Sequence, residues 1–291
     1  MDLIYGAIVT GILSGGVYAL MASGLTLVFG VMDIINVGQG ALVILGAYLT
    51  YTLGQHFHID PFVSLVLTIP AMFVIGAVIE ITIIKRLKRE RTMLSILVMF
   101  AVALIIEGVL TITFSADLVK ISASYVDSSF QVGSVYIAYI YLYGFGMSVV
   151  LLAALYVFLY RTKFGQGIRA TVQNRTAAEL IGINVSRVET VTFGLGVSLA
   201  AAGGMVYGAI NTFNPVSGYD LISRLLVIII LGGMGSLAGA LVASLVMLVV
   251  EDITAVVWSP VWASLVFYVV LALALLVRPQ GIFGNVVARR Q

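Results

Sequence analysis

Long apolar runs separated by short polar or basic connections dominate this chain. Eight runs approach or reach the length of a membrane-spanning helix, about 20 residues. They cover 4–29, 34–53, 62–84, 93–115, 139–160, 189–211, 236–257 and 261–277. A shorter run at 221–233 is half to two-thirds of a span and fits a broken or re-entrant helix. The pattern predicts eight or nine crossings. We favour nine, because 232–236 then forms a tight turn between two paired segments.

Composition identifies the solvent of this chain as the bilayer. Hydrophobic residues make up 61%, charged residues 10%, and the mean hydropathy is +1.14. A soluble domain carries about 25% charged residues. A membrane barrel needs short strands of alternating polarity, which these uninterrupted runs do not resemble. We therefore expect an all-α, polytopic helical membrane protein, with residues 1–291 as one transmembrane domain. An inverted internal repeat with broken or short helices is the expected architecture.

The basic residues predict the orientation of the helices. Thirteen of the fifteen Lys and Arg residues fall in three groups, namely 85–91, 161–187 and 278–290, and only Lys120 and Arg224 lie elsewhere. Because connections rich in Lys and Arg stay in the cytoplasm, these groups are placed inside. The segments 54–61, 116–138, 212–220 and 251–260 are then outside, and the C-terminus is inside. Nine crossings put the N-terminus outside, and eight would put it inside.

Two glycine-rich links predict where a solute would pass. One spans 29–40 and the other 231–240, and each joins two apolar segments. Broken helices in corresponding halves are typical of transport paths. The residues expected to line this path are Asn36, Gly38, Gln39, Gly40, Gly232, Gly233, Gly235 and Ser236. The alternative for the first link is a short cytoplasmic turn in which Asp33 caps a helix.

Asp33, Glu80 and Glu107 are the acidic residues closest to apolar surroundings. Glu107 lies in the middle of a predicted helix, where it either lines the path or is a hydrogen-bonded structural group. Glu80 lies near the first basic group, and we expect it to reach that group or to pair with Lys85.

No catalytic motif is found in the sequence. There is no Gly-Lys pair for a phosphate-binding loop, and no H-E-x-x-H, C-x-x-C or G-x-S-x-G. His56, His58 and Asp60 fit a solvated loop far better than a metal site. We expect no enzyme activity, no cofactor, no metal and no nucleic-acid partner. ATP-driven transport would need its ATPase on another chain.

The segment 161–189 is the longest predicted cytoplasmic connection. Residues 168–181 follow the flexible 165–167 and have helical composition, and Gly182 is a suitable helix end. A short helix with small apolar residues on one side suits a groove in a soluble partner. The alternative is a helix lying on lipid headgroups. The apolar stripe of the predicted helix is small and poorly suited to membrane binding, which favours the groove in a soluble partner.

Four ordered motifs give the chain a family resemblance. They are 16–30 with Asn36, Gly40 and 45–48; 167–184; 231–239; and 278–284. In these residues the chain resembles the LivH-type permeases of branched-chain amino acid ABC importers. One difference is Gln39, at a position where the family usually has His. Relatives of the family also transport urea, short amides and other amino acids.

The resemblance implies a set of partners in a prokaryotic inner membrane. These are a second permease chain, identical or related, two cytoplasmic ATP-binding subunits, an external substrate-binding protein and membrane lipid. It also implies that 168–182 is the ATPase-coupling helix, with Arg169, Ala170, Asn174, Ala177, Ala178, Glu179 and Gly182 as coupling residues. An ATP-independent secondary transporter or channel is the alternative function.

Overall fold

The computed structural model describes residues 2–87, 91–132, 135–278 and 281. The predicted basic residues 88, 89, 289 and 290, and residues 279–280 and 282–284 of the last motif, lie outside this range. The helices are α1 (Asp2–Met32), α2 (Gln39–Phe57), α3 (Pro61–Thr82), α4 (Arg91–Phe114), α5 (Tyr139–Arg161), α6 (Lys163–Gln173), α7 (Arg175–Leu180), α8 (Val185–Ile210), α9 (Gly218–Gly232), α10 (Leu237–Val257) and α11 (Pro260–Val277).

The predicted all-α membrane architecture is confirmed. Among the described residues, eight helical segments are long and apolar enough to cross a membrane: α1, α3, α4, α5, α8, α9 with the 3₁₀ turn before it, α10 and α11. The less hydropathic α2 has 19 residues. The one departure is a small antiparallel hairpin, β1 (Ser129–Val132) and β2 (Val135–Ala138), in the segment predicted as a loop.

The connections between the long helices gather at two ends of the bundle. At one end, Val119 pairs with Phe213, and the Tyr125 hydroxyl donates to Asp60. We call this the hairpin end, because β1 and β2 belong to it. At the other end, Thr92 donates to the Asp33 carbonyl oxygen. This second end carries α6, α7 and every described member of the three basic groups, and we call it the basic end.

The two halves of the chain pack on each other reciprocally. α1 makes its most extensive contacts with α10, and α8 makes its most extensive contacts with α3. α1 and α8 are the two most buried spans. Each is followed by a link without α-helix and then by a shorter helix, α2 or α9. This arrangement supports the expected inverted repeat, with α1–α4 matched to α8–α11.

Both short helices begin in the interior of the bundle. The Gln39 side-chain amide at the start of α2 donates to the carbonyl of Gly196, near the middle of α8, at 3.2 Å. Gly218 at the start of α9 in turn touches Gly40. The link 33–38 therefore climbs from the basic end to about mid-depth before α2 begins. Unwound backbone at that depth is tolerated because protein surrounds it.

Glycine allows the closest contact between the halves. A Cβ atom at Gly11 would lie 2.7 Å from the Cα of Val249, and one at Gly15 would lie 2.9 Å from the Cα of Leu245. Both contacts join α1 to α10. Membrane helices without a solvent-driven hydrophobic force gain stability from such close backbone approach.

Candidate functional site

A deep cavity opens at the hairpin end. Its volume is about 720 Å³, and its walls come from α1, β2, α5, α8, α9 and α10. On α1 the lining residues run from Asp2 to Tyr18, which corresponds to about 24 Å along a helix with a rise of about 1.5 Å per residue. The cavity therefore extends from the hairpin end well into the membrane-spanning part of the bundle.

Charged residues lie in the wall of this cavity. Arg224 on α9 pairs with Asp220 one turn earlier at 2.9 Å, and its guanidinium also donates to Glu251 on α10. Asp252 accepts a hydrogen bond from the Thr10 hydroxyl of α1 at 2.9 Å. The Arg224 and Glu251 side chains are only 19% and 11% exposed. An ion pair so little exposed joins α9 to α10 in a low-dielectric setting, where separating its charges is costly.

The sequence prediction missed this cluster. Glu251 and Asp252 were placed in an outer loop, but both lie inside α10, which continues to Val257. Two adjacent carboxylates in a sequence favour a solvent-exposed loop. The residues that compensate them here, Arg224 on α9 and Thr10 on α1, are far away in the sequence. The available signal was Arg224, one of two basic residues outside the three groups, since an isolated charge in an apolar run needs a partner.

The first predicted path link is buried. Asn36 and Gln39 are fully buried and hydrogen-bonded to each other at 2.9 Å. A Cβ atom at Gly38 would lie 2.9 Å from the Met99 carbonyl oxygen, and one at Gly40 would lie 2.0 Å from that of Gly218. Asp33 ends α1 with a left-handed backbone, φ 54°. As far as the described residues define the cavity, these residues do not line it.

The second predicted path link is a tight turn at the basic end. Gly233 and Gly235 adopt φ of 90° and 87°, which favours glycine. Ser236 caps α10 by accepting from the Gly239 amide at 3.1 Å. A Cβ atom at Gly232 would lie 2.4 Å from the Gly239 carbonyl carbon, so α9 and α10 touch there. The glycines of this link are therefore explained by the turn conformation and by close packing of the two helices.

Glu107 and Glu80 each lie beside a hydroxyl group. The Tyr219 hydroxyl, near the start of α9, lies next to Glu107 on α4. Glu80 on α3 is fully buried and accepts from Thr190 on α8 at 2.5 Å. The sequence predicted a contact between Glu80 and the first basic group. The structure shows Thr190, on α8, as a partner of Glu80.

The predicted coupling helix is two helices. α6 ends at Gln173 and α7 begins at Arg175, with Asn174 between them in extended conformation. The Asn174 side chain accepts from the Ala177 amide at 2.9 Å and so caps α7. The glycines predicted as flexible, 165 and 167, are inside α6. Gly182, with φ 86°, ends α7 as expected, because its amide donates to Glu179 and the next amide to Ala178.

The predicted coupling residues divide by exposure. Arg169 stacks on the Tyr160 ring at 4.4 Å, Ala170 is half-buried, and Ala178 is buried. Asn174, Ala177, Glu179 and Gly182 are exposed. Arg175 joins α7 to the bundle, because it pairs with Glu179 at 3.5 Å and with Glu189 at the start of α8.

An exposed apolar surface continues from α7. Leu180 is 83% exposed and Ile181 is 75% exposed, and both lie at the basic end among charged side chains. Lipid-facing helices account for many exposed apolar residues in this chain, but Leu180 ends the short helix α7 outside the spans and Ile181 follows it. We call Ala177, Leu180 and Ile181 the α7 surface.

Comparison with known families identifies the architecture. Residues 7–275 match the family model described as the permease component of the branched-chain amino acid transport system. The chain belongs to this family. It is accordingly a multi-pass membrane permease and not an enzyme.

Several permeases are similar over nearly their whole length. LivH of Salmonella typhimurium is 25% identical over 289 residues, covering 94% of each chain. BraD of Pseudomonas aeruginosa is 27% identical, covering 96% of this chain and 95% of its own. A probable LivH of Methanocaldococcus jannaschii is 27% identical, covering 94% and 90%. All three are named as branched-chain amino acid transport permeases. No solved structure gives a significant match.

Proposed function

We propose that this chain is the permease subunit of an ABC importer that carries branched-chain or other amino acids into the cytoplasm. The family match over residues 7–275 carries the proposal. It favours an ATP-driven importer over an ATP-independent transporter, and the similar permeases favour amino acids over urea and short amides. ATP hydrolysis then takes place on separate chains.

The basic end is proposed to face the cytoplasm. The support for this orientation is the grouping of the basic residues at that end, because connections rich in Lys and Arg stay on the cytoplasmic side of the membrane. With nine crossings, the N-terminus and the cavity are outside and the C-terminus is inside. The cavity then opens toward an external binding protein. Asn36, Gly38, Gln39, Gly40, Glu107, Gly232, Gly233, Gly235 and Ser236 stay proposed as path residues, reached when the helices rearrange.

The α7 surface is proposed as the docking site of an ATPase subunit. Its exposed apolar side chains suit a groove in a soluble partner, and the cap at Asn174 and the Schellman end at Gly182 make α7 a compact projection. The Arg175–Glu189 ion pair connects α7 to α8, the helix that packs on α1, α2 and α3. Movement of the ATPases would thus reach the centre of the bundle through α8.

Reconstitution tests the transport function. The chain is purified together with its second permease, ATPase and binding-protein partners and placed in liposomes with ATP inside. Uptake is measured for radiolabelled leucine, isoleucine, valine, urea and acetamide. We expect ATP-dependent accumulation of the three amino acids only. Transport by this chain alone, without ATP and partners, would disprove the importer proposal.

A charge on the α7 surface tests the docking assignment. Leu180→Asp is expected to weaken ATPase association at least about tenfold, because a carboxylate would be desolvated in an apolar groove. Leu118→Asp is the matched control, since Leu118 is also exposed, at 67%, but lies at the hairpin end. Equal ATPase retention by the two variants in pull-down experiments would show that docking occurs elsewhere.

A further inference from the structure

The ion pair in the cavity wall has an unused acceptor. Glu251 is 8% exposed, and among the described residues its Oε2 atom has no hydrogen-bond partner, although Oε1 accepts from Arg224. A buried carboxylate oxygen without a donor is costly. The Oε2 atom is itself closed off, but Glu251 lines a cavity of about 720 Å³, so a ligand that opens the ion pair from that cavity can supply the missing donor.

The balance of charge in this wall favours a cationic donor. Glu251 and Asp252 line the cavity beside the guanidinium of Arg224, and Asp220, which is not part of the lining, is a third carboxylate paired with Arg224. Asp220 is paired with Arg224 from within α9, and Asp252 is held by a neutral hydroxyl. An ammonium group placed near Glu251 and Asp252 would offset the excess negative charge, and it brings three donors.

We propose that the Arg224–Glu251 ion pair recognises the two charged ends of an amino acid by exchanging partners with them. The α-carboxylate of the passing amino acid takes the place of Glu251 on Arg224, and its α-ammonium binds Glu251 and Asp252. The inference rests on the proposed function and deepens it, because it assigns the zwitterion, rather than the aliphatic side chain, to this site.

Partner exchange explains how a buried ion pair can open. Separating Arg224 from Glu251 leaves two buried charges uncompensated, which is strongly unfavourable. A zwitterion compensates both at once, since each charge of the protein exchanges one charge-assisted hydrogen bond for another. A neutral amide compensates neither fully, and an amine or a carboxylic acid compensates one. The pair thus selects for solutes that carry both charges.

Exchange also connects recognition to movement. Arg224 lies on α9 and Glu251 on α10, so their pairing joins the two helices. A bound zwitterion inserted between them would replace the direct contact by a longer bridge. The contact that selects zwitterionic solutes is therefore the same contact that holds α9 and α10 together at this depth.

The test uses the reconstituted importer with its binding protein. In the variant Arg224→Met with Glu251→Leu, both charges are replaced by apolar groups, a change that buried ion pairs often tolerate in folding. We expect the maximal rate of leucine uptake to fall at least about tenfold. The substrate concentration at half-maximal uptake, which the binding protein sets, should be unchanged. The ATPase activity stimulated by loaded binding protein should persist.

A second variant tests the proposal if the double variant does not assemble into the importer. Glu251→Gln keeps the shape of the side chain, and Arg224 keeps Asp220. It should show the same loss of uptake with the stimulated ATPase retained. The matched control replaces the exposed Lys120–Asp127 pair, whose side chains are 36% and 77% exposed, by Met and Leu, and its maximal rate should stay within about twofold of the parent.

Two results would overturn the proposal. One is leucine uptake within about twofold of the parent by either the Met–Leu double variant or Glu251→Gln. The other is parallel loss of uptake and stimulated ATPase in both cavity variants, which would assign the pair a structural role. Failure of the unmodified importer to accumulate leucine would instead reject the proposed function, so the two failures are distinguished.

Discussion

Gly40 and Gly218 lie against each other where α2 and α9 begin. A Cβ atom at Gly40 would lie 2.0 Å from the Gly218 carbonyl oxygen, and one at Gly218 would lie 2.9 Å from the amide nitrogen of Ala41. These two short helices occupy matching positions in the two halves of the chain. The contact therefore joins the two halves of the chain where their short helices begin inside the bundle.

Gly40→Ala is expected to destabilise the protein by about 1–3 kcal/mol, because the new methyl group meets backbone rather than a flexible side chain. Thermal unfolding in detergent measures the effect. Gly108→Ala is the matched control, since a Cβ atom there has open space within 4 Å. It should be neutral or stabilise the helix by up to about 1 kcal/mol. Equal melting temperatures for the two variants would contradict the packing shown here.

Gln39→Leu tests the polar contacts of the link before α2. The substitution removes the oxygen that accepts from the Asn36 amide and the amide that donates to Gly196. Because Asn36 is fully buried, its amide loses its partner without gaining water, at a cost of about 1–3 kcal/mol. Gln166→Leu on the exposed side of α6 should change stability by less than about 0.5 kcal/mol. Comparable losses at both sites would show that burial does not determine the effect.

The membrane spans were predictable because hydropathy is a local property. The bilayer requires each span to be apolar over its whole length, so most runs in the sequence mark the helices within a few residues. The run 34–53 is the exception, because α2 is Gln39–Phe57 and residues 34–38 belong to the link before it. Gly182 was equally predictable, since the need for a left-handed residue at a helix end is local. The break at Asn174 was missed because Ile168–Ile181 reads as one helix until the Asn174 side chain is seen to cap α7.

The polar cluster in the cavity depends on contacts that hydropathy does not report. Arg224 and Glu251 are 27 positions apart and meet only when α9 and α10 pack. The glycines of the two predicted links illustrate the converse. Their composition suggested an open path, whereas Gly40 and Gly232 serve close helix contacts in this structure. Glycine content alone does not distinguish these two uses, because both require the absence of a side chain.

The hairpin end provides a pH-dependent contact outside the spans. Tyr125 donates to Asp60 at 2.7 Å, and Asp60 also accepts from the Phe62 amide at the start of α3. Burial, and then the hydrogen bond to Asp60, raises the pKa of the Tyr125 hydroxyl. The unfolded chain would release this proton near pH 10, about the ordinary tyrosine value, while the folded protein retains it. This contribution to stability is therefore present below about pH 10 and declines as the pH rises further.

Tyr125→Phe should remove that decline. We expect the variant to be less stable than the parent at neutral pH and to lose less stability between neutral pH and alkaline conditions above about pH 10. Melting temperatures across this range measure the difference. Tyr136→Phe serves as the control, since Tyr136 belongs to the same end and is 67% exposed. An unchanged alkaline decline in Tyr125→Phe would remove Tyr125 as its source.

The Arg175–Glu189 pair is expected to hold α7 against α8. Glu189 has a side chain only 4% exposed, whereas Glu179, the other partner of Arg175, is 54% exposed. Glu189→Gln removes a charge from the less solvated pair, and losing such a charge-assisted hydrogen bond costs about 1.5–3 kcal/mol when buried. Because Arg175 is itself 46% exposed, we expect about 1 kcal/mol here. Glu179→Gln should cost about 0–0.5 kcal/mol, since solvent screens that pair.

Amide hydrogen exchange of residues 175–180 reports the difference directly. Local opening of α7 should become about five- to tenfold more frequent in Glu189→Gln and remain near the parent in Glu179→Gln. The same order should hold for ATP-driven uptake if α7 transmits movement from the ATPases to α8. A larger effect from Glu179 than from Glu189 would show that the contact within α7, rather than its attachment to the bundle, determines the position of the docking surface.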